Sequence, residues 1–445
     1  MCAARNRPMK KLFFLLAIVS SQIVSAQKDS TENWSWHFQF TGIMQGHPGF
    51  HAPYAGQNSL DSVREKAFSV TSTFFLGRRL WKGGEFYFNP EIAGGKGISS
   101  ALGIAGFTNG ECFRIGDPSP ALYIARMFLR QTIALGDEKE WTAGDVNQLA
   151  GWTPKNRLTI TAGKFSIADV YDCNSYSHDP RTQFMNWSLM SNGAWDYPAN
   201  TRGYTWGFIT EYTRGPWSVR LSGTMVPKVA NGGVFDHNLA KAHGESLELE
   251  RSWGKDGHAG TIRVLGFRNL SRAGNYQDAL LQYHLGNDSS LNVDSRTTYG
   301  GMKYGFGVNV EQQLNAHFGV FMRAGYNDGH TATWVFTEID QNVQAGIQID
   351  GSYWKRKDDI FGAAFSVNGI SKDHIDFLNQ GGYGFLIGDG KLPHYGLEQI
   401  AETYYSAQIT NNLWLSLDYQ FVNNPAYNKD RGPVHVWAVR GHVAF

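Results

Sequence analysis

The sequence predicts an all-β protein: a transmembrane antiparallel up-and-down β-barrel of about 16 strands, with one loop folded inward as a constriction. Three observations point there. Apolar residues recur at every second position along most of the chain, the connections between such segments alternate between short and long, and the chain opens on an export signal.

The export signal comes first. Arg5, Arg7, Lys10 and Lys11 precede an apolar run from Leu12 to Val19, and Val24-Ser25-Ala26 places small residues before Gln27. A secretory signal peptide over residues 1–26 is expected, with Met9 as an alternative start. The run is too short for an anchor helix, and Cys2 lies ahead of it, which excludes a lipoprotein acceptor. Cleavage leaves residues 27–445 as one barrel domain, with 36 basic against 39 acidic side chains. Beyond residue 26 no apolar run approaches the roughly 20 residues of a membrane helix, so a helical membrane protein is excluded. A net charge of +1 for the whole chain argues against nucleic acid as a partner. Three cysteines cannot supply a disulfide framework. Cys112 and Cys173 fall in long connections, where a bridge and two free thiols are both open.

The strands follow from the alternation. Trp217, Val219 and Leu221 interleave with Ser218, Arg220 and Ser222; Met302, Tyr304, Phe306, Val308 and Val310 interleave with Lys303, Asn309 and Glu311. Leu413, Leu415, Leu417, Tyr419 and Phe421 interleave with Trp414, Ser416, Asp418 and Gln420. Period two means a strand with one apolar and one polar face. Sixteen segments read this way: 34–46, 67–80, 84–95, 121–136, 157–166, 201–213, 217–226, 245–253, 258–270, 299–314, 317–328, 333–354, 359–370, 398–410, 413–422 and 434–445. Even-numbered strands are followed by short turns such as Trp81-Lys82-Gly83 and Asn411-Asn412, and most odd-numbered ones by long loops: 47–66, 96–120, 167–200, 227–244, 271–298 and 371–397. The exceptions are a long even connection at 137–156 and a short odd one near 329–332.

Sorted connections belong to an outer-membrane barrel, with short turns and both termini on the periplasmic side. In lipid every backbone N–H and C=O needs an internal partner, so the sheet has to close without an edge. Sixteen strands enclose an aqueous lumen, whose water is expected to satisfy the polar inward faces. Trp36, Trp81, Trp217, Trp253, Trp354 and Trp437 sit near strand ends, as interface girdles do. Trp414 is on the polar face instead. The last strand puts Trp437, Val439, Val443 and the terminal Phe445 on one face, an ending suited to recognition by barrel-insertion machinery.

The stretch Asp172-Cys173-Asn174-Ser175-Tyr176-Ser177-His178-Asp179-Pro180-Arg181-Thr182-Gln183-Phe184-Met185-Asn186-Trp187 continues through Asn192-Gly193-Ala194-Trp195-Asp196-Tyr197-Pro198-Ala199 to Thr201-Arg202-Gly203-Tyr204-Thr205-Trp206-Gly207. It resembles the carbohydrate-selective outer-membrane porin family of OprB type. Gly106 to Glu111, Ala125 to Gln131, Glu338 to Gln341, Gly369 to His374, Glu402 to Tyr405, Asp418 to Phe421, Asn424 to Asn428 and Arg431 to Val434 agree with it in order, across nearly all of the mature chain. The resemblance implies a 16-stranded barrel in the outer membrane of a Gram-negative bacterium that lets small sugars diffuse into the periplasm.

A sugar is neutral, rich in hydroxyls, and apolar on its ring faces. Selecting it takes charged or amide groups for the hydroxyls and aromatic rings for the faces, bound weakly enough for release. The loop after the fifth strand is where porins fold a segment inward, and it carries Asp169, Asp172, Asp179, Arg181, Asn186, Trp187, Trp195 and Asp196. The alternative is a loop packed on the wall for structure alone. Arg126 and Arg130 are four apart on one strand and share a face. An arginine against mid-membrane lipid costs roughly 2–4 kcal/mol, so that face is expected to be the lumen. With Glu91, Glu111 and Arg114 these arginines could form an eyelet of opposed charges, or equally a wall network that no substrate touches. The 14 histidines show no clustered ligand spacing, His178 and His374 read as loop polar residues, and no metal or cofactor is expected.

The leading reading is a passive sugar-preferring channel for mono- or oligosaccharides, with outer-membrane lipid around it and a homo-oligomer left open. Its rivals are a general or anion-preferring porin, a barrel lipase, which lacks a G-x-S-x-G motif, and a secreted all-β carbohydrate-active enzyme, which would need paired carboxylates in a cleft.

Overall fold

A computed structural model describes residues 30–255, 257–291, 293 and 298–445. The expected signal peptide lies outside the described residues. The strands are β1 (Trp34–His47), β2 (Glu65–Trp81), β3 (Gly84–Gly95), β4 (Ala121–Ala134), β5 (Lys139–Thr142), β6 (Gly151–Pro154), β7 (Arg157–Phe165), β8 (Thr205–Arg214) and β9 (Trp217–Thr224). They continue with β10 (His243–Trp253), β11 (Gly260–Ser271), β12 (Gly301–Asn315), β13 (Phe318–Asn327), β14 (Gln341–Gly351), β15 (Arg356–Gly369), β16 (Glu398–Thr410), β17 (Leu413–Asn423) and β18 (Val434–Ala444). Three short helices lie in loops: α1 (Trp187–Met190), α2 (Tyr276–His284) and α3 (Lys372–Asn379).

Every strand except β5 and β6 belongs to one closed antiparallel barrel, in which β1 pairs with β18 from Gln39↔Ala444 to Gly46↔Trp437. All sixteen expected strands are present, each within a few residues of its expected bounds except where β14 begins. β5 and β6 form a separate hairpin inside the long even connection, with Trp141 opposite Trp152.

Alternation sorts the wall as expected. Phe306, Met322, Phe365 and Leu417 are exposed outward while Asn309, Arg323, Ser366 and Asp418 are buried inward. The six girdle tryptophans are exposed, and Trp414 shares the inward face, 5.8 Å from the His442 ring.

Two expectations are corrected. The strand expected over 333–354 begins only at Gln341, so the preceding connection is long. Thr333 to Thr337 has strand composition, but Trp334, Val335 and Phe336 are buried inside the barrel. Their backbone N–H groups donate to the Asp196 carboxylate at 3.1, 2.8 and 3.0 Å instead of to a neighbouring strand. Nor is the inward wall satisfied by water alone. The fully buried Arg440 donates to the carbonyls of Pro180 and Gln183 at 2.7 Å each. Glu402 accepts from the N–H groups of Met185 and Asn186 at 2.5 and 3.0 Å, and Glu398 from Ala105, Gly106 and Ala426 at 3.0, 2.8 and 2.9 Å. Loops folded into the lumen bring their own backbone donors and acceptors, and the wall's charges bind those.

Candidate channel constriction

The loop between β7 and β8, residues 166–204, runs down the inner wall and is fastened there. Asp172 has a left-handed backbone, with φ of 54°, and its carboxylate lies 3.1 Å from the buried Arg323 guanidinium. It also accepts from Asn309 Nδ2 at 2.8 Å and from the N–H of Asn192 at 2.7 Å. Asn192 in turn sits against Gly307 and Gly325 on β12 and β13; a Cβ at either glycine would collide with its side chain. Asn186 caps α1, accepting from the N–H of Ser188 at 2.9 Å, and donates to Gly106 O and Gln420 Oε1 at 2.7 and 3.0 Å. Trp195 is buried between Tyr171 and Tyr197. Asp172, Asn186, Trp195 and Asp196 therefore hold the loop in place and are removed from the channel.

Arg181 stands at the centre of what remains. Its Nε donates to Glu111 at 2.9 Å, Nη2 to Glu91 at 3.1 Å, and Nη1 to Gln39 and Thr73 at 3.2 and 3.1 Å. Asp179 accepts from the Arg181 N–H at 3.0 Å and shapes the turn that presents it. Glu91, from β3, also accepts from Thr73 at 2.5 Å, from Tyr204 at 3.0 Å and from Tyr123. Arg126 makes a two-pronged pair with Asp169, 2.6 Å on both arms, below the Tyr204 ring.

Burial works against the Arg181 charge, yet the carboxylates of Glu111 and Glu91 overcome it and hold this guanidinium well above its ordinary pKa. One arginine serves two acids, so burial, aided by the charges of Glu91 and Asp179, pushes the Glu111 carboxyl up despite Arg181. Burial would raise Asp179 too, but the Arg181 charge and N–H hold it below the usual range.

Arg181, Glu91, Glu111, Tyr123 and Tyr204 line an opening of about 100 Å³ together with Trp187, Tyr197, Phe336, Phe113 and Arg202. Trp187 donates Nε1–H to Asn109 O at 3.0 Å and stacks on Phe336. Two expected members lie elsewhere. Arg114 donates to Phe385 O at 2.9 Å in the loop before β16. Arg130 faces the lumen as Arg126 does, but nearer the periplasmic end, where it donates to Asn147 O at 3.0 Å. The sequence reading missed Tyr123, Tyr204 and Arg202. The Arg202 guanidinium lies 4.4 Å from the Phe113 ring centre and 4.3 Å from that of Tyr123, and its buried Nη1 has no hydrogen-bond partner among the described residues. The alternation that placed Arg126 also places Tyr123 on the inward face, once the bulge at Asn89–Pro90 is allowed for. Cys112 and Cys173 are both free thiols, so the bridge is ruled out. His374 is buried in α3, stacked on Tyr276 and 3.2 Å from Asp340.

A closed barrel with an apolar belt, and a charged aperture made where an inward loop meets the wall, defines an outer-membrane porin. The model of the family described as carbohydrate-selective porin, OprB family, matches residues 76–445, and the chain belongs to that family. It is a channel for sugars across the outer membrane of a Gram-negative bacterium and not an enzyme. Among curated proteins no relative matches. Among solved structures, OprB of Pseudomonas putida at high pH is similar at a TM-score of 0.69 with 16% identity, over 93% of this chain and 94% of that one. The low-pH structure of the same protein gives 0.50 with 14% identity, over 93% of each chain. The channel DcaP of Acinetobacter baumannii gives 0.50 with 9% identity, over 93% of this chain and 97% of that one. At these identities the likeness is one of fold.

Proposed function

We propose that sugars are selected at the aperture between Arg181, Glu91, Glu111 and the ring-stacked Arg202, one sugar ring at a time. The observation that carries this reading is the Arg202 guanidinium, which lines the opening while the Phe113 and Tyr123 rings hold it in place. A passing hydroxyl can accept from this guanidinium where it lines the opening, and the Glu111 carboxylate can accept from a neighbouring hydroxyl. Arg126 and Asp169 hold Tyr204 and the upper wall in register. Trp187, buried and stacked on Phe336, backs one side of the opening.

The test is liposome swelling with sugars of graded size. Arg202→Ala is expected to lower the glucose rate severalfold relative to sucrose while the folded barrel keeps its heat-modifiable mobility. If sugars of one size all pass at equal rates, and none alters bilayer conductance, the general-porin reading takes its place. Residues 1–26 supply the export signal in this reading, and the strand ending at Phe445 is what the insertion machinery engages.

A further inference from the structure

On the periplasmic side the turns run from two to six residues, except for residues 135–156 between β4 and β7. This long turn does not hang free. Its base is the β5–β6 hairpin, and residues 143–150 climb back inside the barrel. Asn147, left-handed at φ 58°, accepts from Asn89 Nδ2 at 2.9 Å through its side chain and from Arg130 through its carbonyl. The N–H of Leu149 donates to the Tyr87 hydroxyl at 3.3 Å. Ala150 is latched to Glu32 by N–H donation in both directions, 2.9 Å each.

Between this re-entrant turn and the wall of β3, β4, β7 and β8 lies a cavity of about 630 Å³, within the size range of small-molecule sites. Glu85, Arg130, Arg157 and Glu211 line it from the wall, and Trp152 from the hairpin. Trp152 is 56% exposed, and its edge-to-face partner Trp141, at 5.6 Å, steadies it. Glu85 is six residues below Glu91 on the same inward face, about 20 Å along the strand. The chamber therefore lies further along the same inward wall, on the periplasmic side of the aperture.

We propose that the chamber is a second sugar-binding station, with the Trp152 indole as the stacking surface, Arg130 and Arg157 as hydroxyl donors, and Glu85 and Glu211 as acceptors. Charges of both signs beside one open indole suit a neutral polyol better than an anion. The station rests on the channel carrying sugars, and its failure can be told from failure of the aperture.

The experiment measures D-glucose-dependent current block in planar bilayers, with glucose added to one side at a time, for the wild type, Trp152→Ala and Trp152→Phe. Trp152→Ala is expected to weaken block from the periplasmic side about three- to tenfold, the worth of a ring contact, and to leave block from the extracellular side within about twofold. Trp152→Phe is expected to keep most of it. Equal periplasmic block in Trp152→Ala and wild type overturns the station, as does equal loss from both sides, or periplasmic block by inorganic phosphate and not by glucose. A wild type blocked only from the extracellular side removes the station and keeps the aperture. A wild type blocked from neither side removes both.

Discussion

At the scale of residues, the alternation reported facing and nothing about partners. It placed Arg126 and Arg130 inside, where they are. It could not separate Asp196, which ties down three backbone N–H groups, from Glu111, which faces the aperture, because both are loop acids with the same letters in reach. Arg202 escaped notice for the mirror reason: an arginine with an idle donor looks in sequence like any other. Glu111 has a measurable signature. Burial raises its pKa, so on acidification it loses its charge before ordinary glutamates near 4.3 do, and Arg181 is then less compensated. As pH falls, the permeability ratio of chloride to potassium is expected to begin rising above the range where ordinary glutamates titrate, as read from reversal potentials. Glu111→Gln should start at the higher ratio and show a flat profile; a variant that keeps the wild-type slope would assign the titration to another group.

Elements were legible to the extent that they pair in the wall. All sixteen barrel strands could be read because each has a lipid face and a lumen face. The start of β14 was misplaced because Trp334 to Phe336 satisfies strand propensity while its hydrogen bonds go to a loop acid 138 to 140 positions away. No local pattern encodes that separation. The 166–204 loop depends on such distant fastenings, and Asp172 is the clearest case. Asp172→Ala leaves Arg323 charged and buried without its acid, a loss of about 3–5 kcal/mol in the loop's seat. Limited proteolysis is expected to cut between Cys173 and Gln183 many times faster while the barrel still resists unfolding in detergent. Weaker glucose block with unchanged cleavage would instead make Asp172 a sugar contact.

For the molecule as a whole, two solvents meet across one sheet thickness. Leu417 is 66% exposed on the outside of β17, and its neighbour Asp418 is buried within. Leu417→Arg, on the lipid face, is expected to cost about 2–4 kcal/mol, seen as a lower urea midpoint for the heat-modifiable form in vesicles. A midpoint equal to wild type would place this face away from acyl chains. The packing of the inside has a different effect. Wall charges such as Arg440, Glu398 and Glu402 clamp the backbones of the inward loops, so the outline of the aperture depends on these fastenings.

The seam between β1 and β18 has one further consequence. The hoop is sealed by its first and last strands, down to reciprocal bonds between Phe38 and Phe445. The sheet cannot close until both of these strands have been made. Until then the first strand and the last one made each carry an open edge.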